Sequence, residues 1–221
     1  MSMVSKKRAK EIIKVICDLF PEAHCELNHE NAFELVIAVL LSAQATDKSV
    51  NKTTDHLFKK YQTPQCYLAV PQAELEEDLY TIGLYKTKAK NIQKLCQILI
   101  DDYAGEVPGS YTDLVRLPGV GRKTANVVLS VWFGVPRIAV DTHVERISKR
   151  LRFARKKDSV TCVEERLMYL LDEETWSDAH HGLIFFGRYF CTARNPKCSE
   201  CPLFNDCYAK EKKKVDALTD D

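Results

Sequence analysis

The sequence predicts an all-α fold. Apolar residues recur at three- and four-residue intervals nearly throughout. Helix start and stop signals punctuate those runs, and no stretch alternates apolar with polar residues as a half-buried strand does. At 221 residues, the chain can form one large domain or two small ones with a sizeable core.

The first helix buries Ala9, Ile12, Ile13, Ile16 and Leu19 on one face and stops at Pro21. Asn31 with Glu34 three residues on is a capping box that opens a buried helix through Leu41. A third helix starts near Asp47 and buries Val50, Leu57 and Phe58. Pro71 opens a fourth, which carries Leu75, Leu79 and Ile82 and closes at Gly83. Ala89, Ile92, Leu95, Cys96, Leu99 and Tyr103 mark the next. Tyr111 to Leu117 is a short helix, Pro118-Gly119-Val120-Gly121 a tight turn, and Arg122 to Phe133 a helix ended by Gly134. Thr142 with Glu145 is a second capping box, for a helix through about Leu151, and Thr161 with Glu164 a third. The last long helix runs from about Asp178 to Phe190, and the charged tail Lys210 to Asp221 is expected to fray.

Composition narrows the function classes. With 45% apolar and 29% charged residues, the chain is too apolar for disorder. Its longest apolar run, Leu35 to Ala43 with Ser42 inside it, is too short to span a membrane, and the basic start Met1 to Arg8 lacks a signal-peptide core. A cytoplasmic protein is expected. Net charge is only +1, but Asp113 to Lys157 holds eleven basic against three acidic residues, a surplus of eight. Such a run is ordinarily a solvated face; concentrated here, it also suits a polyanion.

Nine cysteines, an odd number, argue against a purely disulfide framework. Cys17, Cys25, Cys66, Cys96 and Cys162 are scattered, as small buried hydrophobes are. Cys191, Cys198, Cys201 and Cys207 crowd together, which in a reducing compartment points to a metal. One C-x2-C with two outlying cysteines also suits zinc, so spacing alone does not name it.

The turn from Leu117 to Ala125 carries Gly119, Val120 and Gly121 ahead of Arg122. Two glycines permit a sharp backbone path and leave N–H groups uncovered at the start of a helix, where the dipole favours an anion. A DNA phosphate fits such a site without any reading of sequence. Lys123 stands in the first turn of that helix, beside Arg122 and at the positive dipole end, and partial burial is expected as well. All three favour the neutral amine, a nucleophile able to form a Schiff base; the plainer reading is a phosphate contact. Asp141 follows the apolar strip Ile138-Ala139-Val140 at the entry of a helix, where a carboxylate also serves simply as a cap. Lys123 and Asp141 lie eighteen residues apart, one helix plus a short return.

Together, Leu117 to Ala125, Val140 to Arg146, Leu41 to Asp47, Ile82 to Tyr85 and the spacing of the four late cysteines resemble the endonuclease III family of helix-hairpin-helix DNA glycosylases. The resemblance runs from about Ala9 to Cys207. It implies a [4Fe–4S] cluster on Cys191, Cys198, Cys201 and Cys207, pinning a loop whose Arg194 and Lys197 meet a phosphate. It implies a six-helix barrel over residues 24–135 and a second helical domain from residues 1–23 with 136–221, with DNA in the cleft between them. Gln44 would fill the hole left by a flipped base and Leu84 would wedge against its partner. Gly119, Val120, Gly121, Arg122 and His143 would contact or position DNA.

The implied activity is that of a bifunctional DNA glycosylase and AP lyase of base excision repair. Lys123 would attack C1′ and Asp141 would stabilise the transition state. The substrates would be oxidised or ring-saturated pyrimidines and abasic sites in double-stranded DNA, met by a monomer at the nucleoid. The alternatives are a monofunctional, adenine-type glycosylase of the same fold, which needs no amine, and a non-catalytic cluster-containing DNA-binding module.

Overall fold

Residues 3–209 are described by the computed structural model. Every regular element among them is helical: α1 (Lys6–Leu19), α2 (Ala32–Leu41), α3 (Asp47–Lys60), α4 (Pro64–Leu68), α5 (Gln72–Asp78), α6 (Tyr85–Tyr103), α7 (Tyr111–Leu114), α8 (Arg122–Val131), α9 (Thr142–Arg150), α10 (Val160–Leu170) and α11 (Trp176–Phe185). α11 continues into a π turn over Phe186–Phe190. Among the described residues, no helix is long and apolar enough to cross a membrane. The tail Lys210 to Asp221 lies outside the described residues.

The chain divides into two compact units, Glu26–Val135 and the pair Met1–Cys25 with Pro136–Asp221. In the Glu26–Val135 unit, α2 is apolar on all sides and packs against α3, α6 and α8. Every residue from Leu35 to Leu41 is buried, so this helix is the centre of its unit rather than a surface stripe. Tyr67 of α4, Leu75 of α5, Leu79 just after it, and Ile92 and Leu95 of α6 complete the core around it.

The other unit packs α1 against α10 and α11, and α9 against α10 and α11. Its core joins Ile12 and Ile16 of α1 to Val144 and Ile147 of α9, Leu167 of α10 and Leu183 of α11. Leu203 carries the cysteine-rich loop into the same core.

Several boundaries differ from the sequence reading. The helix after Pro71 ends at Asp78 rather than at Gly83, because Leu79 to Ile82 close as turns. The cap of α9 is Asp141, not Thr142, and the cap of α10 is Ser159, not Thr161. The short helices over Tyr111 and Arg122 end at Leu114 and Val131. The last helix begins at Trp176, before Asp178.

Candidate functional site

The turn before α8 is built around Gly119, whose φ of +82° lies in the left-handed region. A Cβ there would stand 2.7 Å from Leu40 Cδ1 of α2 and 3.2 Å from Asn91 Nδ2. Glycine is therefore required twice over, by torsion and by the close approach of the turn to the core helix. Val120 is 5% exposed and its N–H donates to Leu117 O at 3.0 Å, so this residue anchors the turn. Gly121 is the N-cap of α8 in extended backbone, with no side-chain cap. A Cβ on it would meet nothing within 4 Å, which leaves open space over the first N–H groups of α8. Arg122 and Lys123 follow, both exposed. Partial burial of Lys123 is thus corrected: its amine stands in solvent, at the positive end of α8 and beside a cation. It makes no hydrogen bond or ion pair among the described residues.

Gln44 and Leu84 sit in loops that touch: a Cβ on Gly83 would lie 3.7 Å from Gln44 O. Both residues are left-handed, with φ of 57° and 60°. That conformation costs a non-glycine residue about 1–2 kcal/mol. Both are exposed, and Leu84, at 57%, is among the most exposed large apolar side chains described. An apolar side chain held strained in solvent is not packing its own core.

In the other unit, Asp141 caps α9. Its Oδ1 accepts from His143 N at 2.9 Å and Val144 N at 2.8 Å. Both bonds fall on one oxygen, which fixes the carboxylate and leaves Oδ2 uncommitted among the described residues. His143 is half-buried, its Nδ1 at 3.3 Å from Arg146 Nη2. Arg146 donates to Gly187 O at 2.6 Å and to Cys191 O at 3.3 Å, and its burial pulls its pKa below the usual arginine value. One turn on, Arg150 Nη1 donates to Cys191 O at 3.2 Å, Thr192 O at 2.9 Å and Cys191 Sγ at 3.1 Å. One short helix therefore carries the candidate carboxylate at its start and grips the cysteine loop along its side.

Among the described residues no two of the cysteines are joined as a disulfide. Cys191, Cys198, Cys201 and Cys207 line one pocket with Phe190, Pro196, Lys197 and Phe204. N–H donors reach its sulfurs, among them Arg150 Nη1 on Cys191 and Ala209 N on Cys207 Sγ at 3.4 Å. Four thiols around one cavity, walled by apolar rings and met by N–H groups, fit a thiolate-held iron–sulfur cluster. No three of the described His, Cys, Asp and Glu side chains gather around a single metal ion. Arg194 and Lys197 of this loop are exposed, with Lys197 Nζ 5.8 Å from the Phe190 ring centre.

The solvated basic face expected of residues 113–157 is partly corrected. Arg146 and Arg150 are spent on loop carbonyls, Lys149 pairs with Glu145 at 2.6 Å, and Arg152 stacks 3.1 Å from the Tyr208 ring centre. Sequence reasoning also missed Gly187, where a Cβ would stand 3.0 Å from His143 Cβ. A glycine inside an apolar helical run is the only signal it offered.

Residues 37–173 match the family model described as HhH-GPD superfamily base excision DNA repair protein. Residues 191–207 match the iron-sulfur binding domain of endonuclease III. The chain is 58% identical over 211 residues to endonuclease III of Bacillus subtilis, covering 96% of each chain. It is 47% identical over 209 residues to that of Escherichia coli K12, covering 95% of this chain and 99% of the relative. Among solved structures, it is similar to a trapped endonuclease III–DNA covalent intermediate in an estranged-adenine complex, at 58% identity and a TM-score of 0.93, covering 96% of this chain and 99% of that one. It is also similar to a thermostable thymine-DNA glycosylase, at 26% identity and a TM-score of 0.84, covering 93% and 98%.

Proposed function

Because the chain belongs to the endonuclease III family of HhH-GPD base excision DNA repair proteins, we propose that it is a bifunctional DNA glycosylase and AP lyase acting through Lys123 and Asp141. The observation that carries this reading is the exposed, unpartnered amine of Lys123 in the first turn of α8, directly after the glycine turn. A monofunctional glycosylase activates water and has no use for such an amine.

The substrates are oxidised or ring-saturated pyrimidines, and abasic sites, in double-stranded DNA of the nucleoid, met by a cytoplasmic monomer. A stacked base cannot be reached, so the damaged nucleotide is extruded at a cost of a few kcal/mol, least for a lesion that pairs badly. Gln44 fills the vacated place and Leu84 wedges at the partner base. The uncovered N–H groups near Gly119 and Gly121, with Arg122, hold a backbone phosphate against the positive end of α8. His143 positions locally.

Lys123 Nζ bonds to C1′ as the glycosidic C–N bond breaks, and the base leaves with its electron pair and gains a proton. Asp141, held through Oδ1, offers Oδ2 to the positive charge that develops on the sugar. The C1′–O4′ bond of the sugar then opens, with O4′ taking a proton, and the resulting iminium acidifies the C2′ proton. Its loss expels the 3′ phosphate, which cuts the strand 3′ to the lesion, and water then frees the lysine.

Cys191, Cys198, Cys201 and Cys207 would hold the [4Fe–4S] cluster, which supplies a rigid frame for the loop bearing Arg194 and Lys197. Residues 24–135 form the barrel domain of this reading, and residues 1–23 with 136–221 the cluster domain.

Borohydride reduction in the presence of an abasic duplex tests the assignment. The wild-type protein should give a covalent protein–DNA adduct and Lys123→Gln none. Asp141→Asn should bind the duplex while losing about 10²–10³-fold in base excision. A Lys123→Gln protein that still traps would overturn the reading.

A further inference from the structure

Lys88 is the one buried lysine or arginine among the described residues, at 4% exposure. It lies in α6 and takes no part in the chemistry above. Its Nζ donates to Leu41 O at 3.0 Å and to Ala43 O at 2.6 Å. Leu41 ends α2, where the helix leaves carbonyls unsatisfied and the dipole favours a cation. Ala43 is the residue before Gln44. The Lys88 backbone N–H donates to Leu84 O at 3.0 Å, so the same residue also closes the first turn after Leu84.

Lys88 is thus bonded on one side to the carbonyl of Leu84 and on the other to the carbonyl preceding Gln44. These are two of the four described non-glycine residues held at positive φ. We infer that Lys88 is a positioning residue that presets Gln44 and Leu84 together, as one rigid wedge, for entry into the duplex. This rests on the role given to Gln44 and Leu84 in the preceding subsection. Burying a cation is unfavourable, and an apolar side chain would pack at this place more cheaply. What the amine adds is two hydrogen bonds at the point where α2 breaks into the strained loop. Burial lowers the Lys88 pKa, yet a neutral amine keeps two N–H donors for the two carbonyls. The clamp therefore survives loss of the proton.

A duplex with 2-aminopurine opposite an abasic analogue tests this at saturating protein. Wild-type binding should change the fluorescence as the partner base is unstacked, and Gln44→Ala and Leu84→Ala should each shrink that change. Lys88→Met should shrink it as well and slow excision by up to about 10²-fold. Its effect on borohydride trapping with a single-stranded abasic oligonucleotide, which has no partner base, should be several-fold smaller. Adding Leu84→Ala to Lys88→Met should cost less than Leu84→Ala alone, because contacting groups do not add. Should Lys88→Met fail to fold, Lys88→Gln, which keeps an amide donor, should show the same pattern more weakly.

A full fluorescence change in the Lys88 variant would overturn the proposal. So would equal losses on duplex and single strand, or additive effects. If Gln44→Ala and Leu84→Ala themselves leave the signal intact, the wedge reading has failed first, and the proposal falls with it.

Discussion

Replacing one hydrogen at Gly119 by a methyl group would push it to 2.7 Å from Leu40 Cδ1 at a φ of +82°. Gly119→Ala should cost about 1–3 kcal/mol in a denaturant melt and should displace the phosphate turn. Gly121→Ala, with nothing within 4 Å, should leave the melt nearly unchanged. The sequence marked both glycines alike; the left-handed torsion of Gly119 and its distance to α2 separate them. Single residues were otherwise legible where they form a pattern, as in the cysteine spacing and the turn before Lys123. Arg146, Arg150 and Lys88 were not, because a charge count cannot say which backbone carbonyl a long side chain reaches. Partial burial of Lys123 was expected, but the buried stretch of α8 begins only at Thr124.

At the scale of the element, the capping boxes placed helix starts to within a residue or two, and the two displaced ones share a cause. Both Thr142-x-x-Glu145 and Thr161-x-x-Glu164 satisfy the capping pattern. In each case an oxygen-bearing residue stands just upstream and takes the N–H groups instead. Asp141 accepts two at α9, and Ser159 accepts Cys162 N at α10. Glu145 then pairs with Lys149, and Glu164 is buried. The five residues of α4 are too few to show a period. Capping and chemistry at Asp141 are separable. Asp141→Asn should keep α9 within a few tenths of a kcal/mol and Asp141→Ala should lose about 1 kcal/mol by thermal melt, while excision falls in both.

Across the whole molecule, burial holds protons that the unfolded chain gives up. Cys96 is pushed up from 9.0 to about 12, Cys17 from 9.0 to about 11, and Tyr61 from 10.0 to about 12, each chiefly by burial. A raised native pKa gives stability that is full below the unfolded value and is lost as pH rises toward the native one. Melting temperature should therefore fall progressively from about pH 9 to 12. Each withheld proton accounts for about 1.4 kcal/mol per pH unit. Cys96→Ala should flatten that fall by one proton, measured as the pH slope of unfolding free energy. An unchanged slope would mean that Cys96 ionises alike in both states.

The unit that holds the cysteine loop is assembled from the two ends of the chain, with α1 seated on α10 and α11. During synthesis α1 leaves the ribosome well before α10 and α11, with Ala9, Ile12, Ile13 and Ile16 as its sticky side. The residues that cover them arrive some 140 positions later, Leu19 to Val160, which at ordinary translation speed is roughly 7–30 s. The segment 26–135 emerges entire within that wait. A nascent chain stalled before α10 would carry a finished central body and an orphaned amphipathic helix, the species on which a ribosome-bound chaperone should act.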